Sequence, residues 1–379
     1  MISLNRPYDF SPKELGSERV RELGKLHPWE KRGMEIVYSS REGLSRVYRQ
    51  LYQERSAMRV AVSPLTCFIA IYPIVANGHV PVYVDIDAET LNMSEEALMA
   101  HEDVDAVQTI YLGGNPMRMD KVMDWAKRRG VVVIEDCAQA LGAKYKGLLC
   151  GMFGEYAVAS AVKNLYSVAG GILVGELRVK SEELRVKGWL MAYKRVKRWL
   201  EKRADARKGN IWNAVYGGLL RLKDTRENAF TNSIHRVPEE VEQEIREALG
   251  HIDAIQALRT EKAERLMAQI DTTKYAVQQV PEGGESTRNR VIVVALHREA
   301  REVITALRAK GIAANNLTQS YTHPYQEHVM KDKMLAPYYA EALPNYERIL
   351  PRVVSVPCSP SLSNAEIDFI ARELNSIRI

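Results

Sequence analysis

Cysteine is scarce in this 379-residue chain, and its four copies, Cys67, Cys137, Cys150 and Cys358, are scattered. They sit in apolar or strand-like surroundings without paired spacing. That argues against a disulfide framework or a zinc site and fits a reduced cytoplasmic protein. Long apolar runs are also missing: no window approaches ~18 uninterrupted apolar residues, so no membrane span is expected. The opening MISLNRPYDFSPKELGSERV has early charges and no apolar core segment, unlike a secretory signal. There is no internal repeat and no low-complexity tract. Nor does one sign of charge dominate: 53 Lys and Arg against 48 Asp and Glu leave +5, too mild to argue for nucleic acid. What is present, 46% hydrophobic and 27% charged residues, is the composition of a globular protein. The length exceeds one ordinary domain, so one large and one smaller domain are expected.

Between about residues 36 and 175 short apolar segments alternate with amphipathic ones, which predicts an α/β fold with a mostly parallel sheet covered by helices. Strands are expected over 59–63, 80–85, 106–111, 131–135 and 171–174, with helices over 43–52, 67–76 and 119–129. Turns are marked by Asn77-Gly78, by Gly113-Gly114-Asn115-Pro116, and by Gly130 closing a helix. From about 176 to 230 the chain becomes basic and helix-prone. Residues 238–270 then read as one long helix, with Pro238 at its start and acids in its first turn. A strand over 291–295, a helix over 298–310, a strand over 349–357 and a helix over 364–377 capped by Ser363 or Asn364 complete the pattern. The division expected is a large domain over 1–250, carrying the basic insertion, and a small α/β domain over 251–379.

The stretch VVVIEDCAQALGAKYKGLLCGMFGEYAVASAVKNLYSVAGG (131–171) concentrates the chemistry. An apolar run delivers Glu135 and Asp136 to a strand end, where open α/β sheets place ligands. Lys163 follows in a small, apolar context that lowers a lysine's pKa and frees its amine for carbonyl attack. A carboxylate, a lone lysine and the Gly170-Gly171 pair suit pyridoxal 5′-phosphate (PLP), which needs a Schiff-base lysine and an acid for its pyridine nitrogen. The bland alternatives are a surface lysine at a strand end and a helix N-cap at Asp136. Ser39-Ser40-Arg41 precedes a helix, and amides and hydroxyls at a helix N-terminus make a phosphate site to which Arg41 adds charge.

The order of segments, from YSSREGL through ANGHVPVYVDID and EDCAQALGA to KNLYSVAGG and the closing VSVPCSPSLSNAEIDFIARELNSI, resembles the DegT/DnrJ sugar aminotransferases of PLP fold type I. That resemblance implies a seven-stranded, mostly parallel sheet in the large domain. It also implies that Lys163 bonds to the cofactor and shuttles protons, and that Asp136 pairs with the pyridine nitrogen. Ala138 and Gln139 would flank the ring, and Ser160 would bind phosphate with Ser40 and Arg41. Asn232 would complete the phosphate site of a neighbouring subunit, which implies a homodimer with shared active sites. Cys67 stands where the family often has an aromatic ring over the cofactor. The family's phosphate serine commonly lies five residues before the lysine, whereas Ser160 lies three before Lys163. GIAANNLTQSYTHPY replaces the usual histidine-tyrosine motif, leaving Asn316, Tyr321 and His323 as substrate contacts.

The function implied is amination of a keto-sugar, nucleotide-linked, with glutamate or glutamine as donor. The alternatives are a non-nucleotide ketone such as an aminocyclitol precursor, or a non-catalytic scaffold on the same fold. Relatives that dehydrate typically replace the lysine by histidine, and Lys163 argues against that outcome. The basic segment 178–208, with Trp189 and Trp199 among its charges, has three readings: a solvated insertion, a cationic rim for a nucleotide diphosphate, or a membrane-surface helix.

Overall fold

The strand-helix alternation builds a three-layer core. In the computed structural model, residues 27–167, 169–178, 183–185, 196, 234–316, 336–338 and 342–378 are described. Nine strands come first: β1 (Glu35–Val37), β2 (Arg59–Val62), β3 (Val80–Tyr83), β4 (Ala106–Ile110), β5 (Val132–Cys137), β6 (Lys144–Tyr145), β7 (Leu148–Leu149), β8 (Tyr156–Ser160) and β9 (Gly171–Val174). Seven of them form one sheet in the order β1-β9-β8-β5-β4-β2-β3. The run from β8 to β3 is parallel, while β9 pairs antiparallel with both β8 and β1. The sheet is therefore seven-stranded and mostly parallel, as expected.

Helices cover both faces, so central strands are apolar on both sides. The pleat of β5 sorts its side chains accordingly: Val133 and Cys137 enter one core cluster, Val132 and Ile134 the other. Each such burial contributes about 1.5–3 kcal/mol.

Further along, β10 (Glu183–Arg185) pairs in parallel with β11 (Ile234–Arg236). The strands β12 (Tyr275–Val277), β14 (Val291–Ala295) and β15 (Val353–Val356) make an antiparallel sheet in that order, with its own core. The strand between them, β13 (Gly284–Glu285), instead joins β6 and β7.

Three expected boundaries move. The first long helix is Ser40–Arg55, starting earlier than expected because Ser39 caps it, its hydroxyl accepting the Glu42 amide. Ser40 and Arg41 therefore belong to its first turn. The single helix expected over 238–270 is two, Glu239–Leu249 and Ile252–Met267, separated by Gly250 and His251. Glycine costs about 1 kcal/mol in a helix interior relative to alanine. The buried positions 241, 245, 248, 252, 255, 263 and 266 nonetheless keep helical spacing across the break, so periodicity alone could not locate it. The strand expected over 349–357 begins only at Val353, because Pro344–Ile349 is helical and a tight turn with Pro351 at its centre follows. Proline has no N–H to give to a ladder. At the C-terminus Ser363 and Glu366 form a reciprocal capping box for the helix Asn364–Ser376.

Candidate active site

Glu135 and Asp136 are neighbours on β5 with opposite fates, because successive strand residues face opposite sides. Glu135 is fully buried. Its carboxylate accepts from the Tyr111 hydroxyl at 2.5 Å and from the amides of Gly151, Phe153 and Gly154 at 2.7 Å each. Every acceptor direction is used, so Glu135 is a structural anchor.

Asp136 is buried too, but loosely held. One oxygen accepts the Ala138 amide at 2.9 Å, and the other meets the Gln108 side-chain amide only at 3.5 Å. Gln108, from β4, also donates to the Ala70 carbonyl at 3.1 Å and accepts the Tyr48 hydroxyl at 2.6 Å. Burial raises the Asp136 carboxyl above its usual range, opposed by the Ala138 amide and by Lys163. The residues after it make turns rather than a helix, which removes the N-cap alternative.

Lys163 lies on the one-turn helix Ala161–Asn164 that follows β8, the parallel neighbour of β5. Burial lowers its pKa and Arg290 adds to that effect, while Cys67 and Asp136 oppose it. Lys163 is half-buried, so it is not a fully exposed surface lysine.

The turn carrying Lys163 is tied on three sides. The Ser160 hydroxyl accepts the Lys163 amide at 3.3 Å, and the Lys163 carbonyl accepts the Asn289 side chain at 3.2 Å. Asn164 donates to the carbonyls of Ser160 at 2.8 Å and Ala138 at 3.0 Å. Through Asn164 the Lys163 turn and the loop after Asp136 become one unit.

Ser40 approaches the same region by backbone. A Cβ on Gly171 would press into the Ser40 amide nitrogen and lie 2.6 Å from the Ser39 carbonyl carbon, so only glycine permits this packing. Gly171 pairs with Ser160 across β8 and β9. Ser40 and Ser160 thus flank one glycine at the start of a sixteen-residue helix, whose first-turn amides suit an anion. Position 158, five before the lysine, is a fully buried valine in the apolar core. The hydroxyl that remains, Ser160, doubles as the cap of the lysine turn.

Other expected residues are placed as follows. Cys67 is half-buried at the start of the helix Phe68–Ala76, without a side-chain cap bond, and lies near enough to act on Lys163. Gln139 accepts the Gly113 amide at 3.0 Å, so its side-chain oxygen anchors the glycine turn. Asn316 is half-buried next to the Asn315–Ser355 bridge. Asn232, Tyr321, His323 and nearly all of the basic segment lie outside the described residues. Sequence reasoning missed Gln108, Asn164, Asn289 and Arg290. A polar Gln108 inside the apolar run AVQTIY was the readable signal.

Among the described residues, no group of three or more His, Cys, Asp or Glu could hold a metal, and no helix is long and apolar enough to cross a membrane.

Comparison with known proteins gives this arrangement a context. The family model for the DegT/DnrJ/EryC1/StrS aminotransferase family matches residues 43–375. GDP-perosamine synthase of Escherichia coli O157:H7 is 35% identical over 119 residues, 30% of this chain and 33% of that protein. UDP-N-acetyl-3-dehydro-alpha-D-glucosamine 3-aminotransferase of Acidithiobacillus ferrooxidans is 29% identical over 305 residues, 78% of this chain and 70% of that protein. The chain spans about a third of the length of the first curated relatives it matches. Among solved structures, the sugar aminotransferase CalS13 from Micromonospora echinospora superposes with a TM-score of 0.67 at 22% identity over 100% of both chains. A GDP-4-keto-6-deoxymannose-3-dehydratase with a trapped PLP-glutamate geminal diamine gives 0.69 at 17% identity, over 99% of this chain and 100% of that one.

The cofactor of the family is PLP. The residues present fit it: a buried carboxylate with one weakly held oxygen, a desolvated lysine on the adjoining strand end, and a helix N-terminus with two serines beside it. With 333 of its residues matched by the family model (43 to 375 inclusive), the chain belongs to the DegT/DnrJ/EryC1/StrS aminotransferase family.

Proposed function

We propose that the protein is a PLP-dependent aminotransferase that aminates a keto-sugar, nucleotide-linked, with glutamate or glutamine as donor. The observation that carries the reading is that Lys163 and Asp136 stand at the ends of two neighbouring parallel strands, close enough for each to act on the other's charge. When bound, PLP supplies an electron sink for a carbanion.

The protein's part is positional and protonic. With PLP bound, Lys163 would be the residue that holds it covalently and would carry the proton to and from the donor Cα. Asp136, with one weakly held oxygen, would be the residue to pair with the ring nitrogen and stabilise a proton there. Ala138, Gln139 and Cys67 border the ring. Ser40, Arg41 and Ser160 hold the phosphate, and Asn232 adds to that site across a homodimer. Asn316, Tyr321 and His323 contact the substrate. The large unit is assigned to 1–250, with the basic insertion, and the small unit to 251–379. A cytoplasmic location accords with the four free cysteines among the described residues.

The sugar assignment is supported by the names of the relatives, one acting with a GDP-linked and one with a UDP-linked sugar. The test has two arms. Glutamate added to the PLP-loaded enzyme should bleach the cofactor's visible band, and a Lys163→Ala variant should have no covalently attached cofactor after borohydride reduction and peptide mapping. Calorimetry with UDP, GDP and dTDP should then show binding of at least one. Binding of none would move the reading to a non-nucleotide ketone, and an unchanged spectrum would end it.

A further inference from the structure

Gln108 is a polar residue in an apolar place. Ala106, Gln108 and Ile110 share one face of β4, and the other two belong to the core cluster on that face. The Gln108 side chain is fully buried, and a buried amide must find partners for its hydrogens and its oxygen. An apolar side chain could fill the position without that demand.

The partners fix which way the amide points. The Ala70 carbonyl, 3.1 Å away, can only accept, so the nitrogen faces it. The oxygen therefore faces Tyr48, whose hydroxyl donates to it at 2.6 Å. Burial, with Asp136 adding to it, pushes that hydroxyl well above its usual range, so it keeps the proton it donates. Tyr48 is fully buried on the helix Ser40–Arg55, and the His79 ring meets its carbonyl at 2.8 Å. The other nitrogen of that ring accepts the Met58 amide at 3.1 Å, which leaves the ring's proton on the side of Tyr48. Turning the Gln108 amide over would bring its oxygen against two acceptors, the Ala70 carbonyl and the Asp136 carboxylate. One hydrogen of the nitrogen is thus left for Asp136, whose Oδ2 lies 3.5 Å away, while the Ala138 amide donates to Oδ1 at 2.9 Å. Donors on both oxygens set the rotation of the carboxyl group about its Cβ–Cγ bond. The long contact on Oδ2 leaves that oxygen room for a second donor.

We propose that Gln108, held by Tyr48 and the Ala70 carbonyl, is a positioning residue that sets the Asp136 carboxylate for the ring nitrogen of the cofactor. The inference rests on the PLP reading of the same site. It makes Tyr48, Gln108 and Asp136 a link between the helix that carries Ser40 and Arg41 and the strand that carries the acid. Gln108 acts on the cofactor only through Asp136, so its effect is confined to the ring nitrogen. A tie that merely braced β4 against the helices would serve every part of a bound cofactor alike.

The test compares the affinities of the cofactor-stripped, full-length protein for PLP and for deaza-PLP, in which a C–H replaces the ring nitrogen. The bond to Lys163 and the phosphate contacts are common to both, so the ratio of the two affinities reads the ring nitrogen alone. Wild type should favour PLP, and Gln108→Leu should cut that preference by about three- to tenfold, the worth of one hydrogen bond. Because this change leaves the Tyr48 hydroxyl buried without a partner, the paired variant Tyr48→Phe/Gln108→Leu removes both polar groups. It should keep the fold and show the same reduced ratio. In an Asp136→Asn background, Gln108→Leu should change the ratio no further. A ratio in the paired variant within about 1.5-fold of wild type, an equal fall in affinity for both compounds, or a further fall of the ratio in the Asp136→Asn background would each overturn the proposal and leave the PLP reading standing. A wild type that takes up neither compound would sink the PLP reading itself, and the proposal with it.

Discussion

Neutralising the two adjacent carboxylates of β5 should have opposite consequences. In Glu135→Gln, one oxygen of a carboxylate that accepts four hydrogen bonds becomes an NH2 group. The Tyr111 hydroxyl can turn to accept from it, but at least one backbone amide of Gly151, Phe153 or Gly154 is left facing a donor. Burial raises the Glu135 carboxyl too, but its four hydrogen bonds oppose that rise; leaving one to two of the buried donors without an acceptor costs about 1–3 kcal/mol each, roughly 2–5 kcal/mol in all. That is a large share of the ~5–15 kcal/mol that holds a typical protein folded.

Asp136→Asn keeps the bond from the Ala138 amide and gives up only the 3.5 Å contact with Gln108. Burial raises the folded-state pKa of Asp136 above the ordinary 3.8. Its contribution to stability is therefore fully present below about 3.8 and is lost as pH rises through the raised value. At neutral pH, above the ordinary value, burial of Asp136 therefore costs the cofactor-free protein stability, and Asp136→Asn removes that cost. Urea titrations of the cofactor-free proteins at pH 7 and pH 4 should show Glu135→Gln with a clearly lower midpoint. Asp136→Asn should be equal to or above wild type at pH 7, with the advantage shrinking at pH 4. On PLP loading the order of function reverses: Asp136→Asn should lose about 10²-fold or more in the glutamate half-reaction, as expected for a missing electrostatic partner. A Glu135→Gln midpoint matching wild type, together with a destabilised Asp136→Asn, would refute the division of roles.

Two other outcomes follow from the site. Asn164→Ala removes donations to the Ser160 and Ala138 carbonyls and an acceptor for Asn289, so a loss of about 2–3 kcal/mol is expected at about 1 kcal/mol per bond, read by thermal or urea unfolding. Its half-reaction should slow even at saturating glutamate, because the lysine turn is no longer tied to the loop after Asp136. Arg290 also depresses the Lys163 pKa, second to burial, so Arg290→Gln should move the pH at which this amine deprotonates upward. A pH series of cofactor attachment rates measures this, and a shift downward would contradict the charge arrangement.

The sequence made part of this site readable and hid the rest for identifiable reasons. Lys163, Asp136 and Ser160 could be singled out as candidates because each lies where a strand hands over to a turn, and composition changes sharply there. Gly171 could be named as half of a glycine pair, but its purpose, the close approach of the Ser40 backbone, is a long-range contact invisible to spacing. The same limit hid Asn289 and Arg290. They lie over 120 residues from Lys163, before an ordinary apolar strand, and become site residues only because β14 returns them to the lysine turn. The break at Gly250 escaped for the opposite reason: its apolar stripe is continuous, so the periodic signal outlasted the helix.

Ser160 joins both lessons. Its displacement by two positions from the family spacing looked like a change in the cofactor's phosphate cradle. In the fold, the vacated position is core valine, and the serine sits where one hydroxyl can cap the lysine turn and still lie beside Gly171 and the Ser40 amide. Ser160→Ala should therefore weaken phosphate holding and lysine positioning together. A variant with reduced cofactor affinity but an unaltered half-reaction rate at saturating cofactor would show that the hydroxyl serves the phosphate alone.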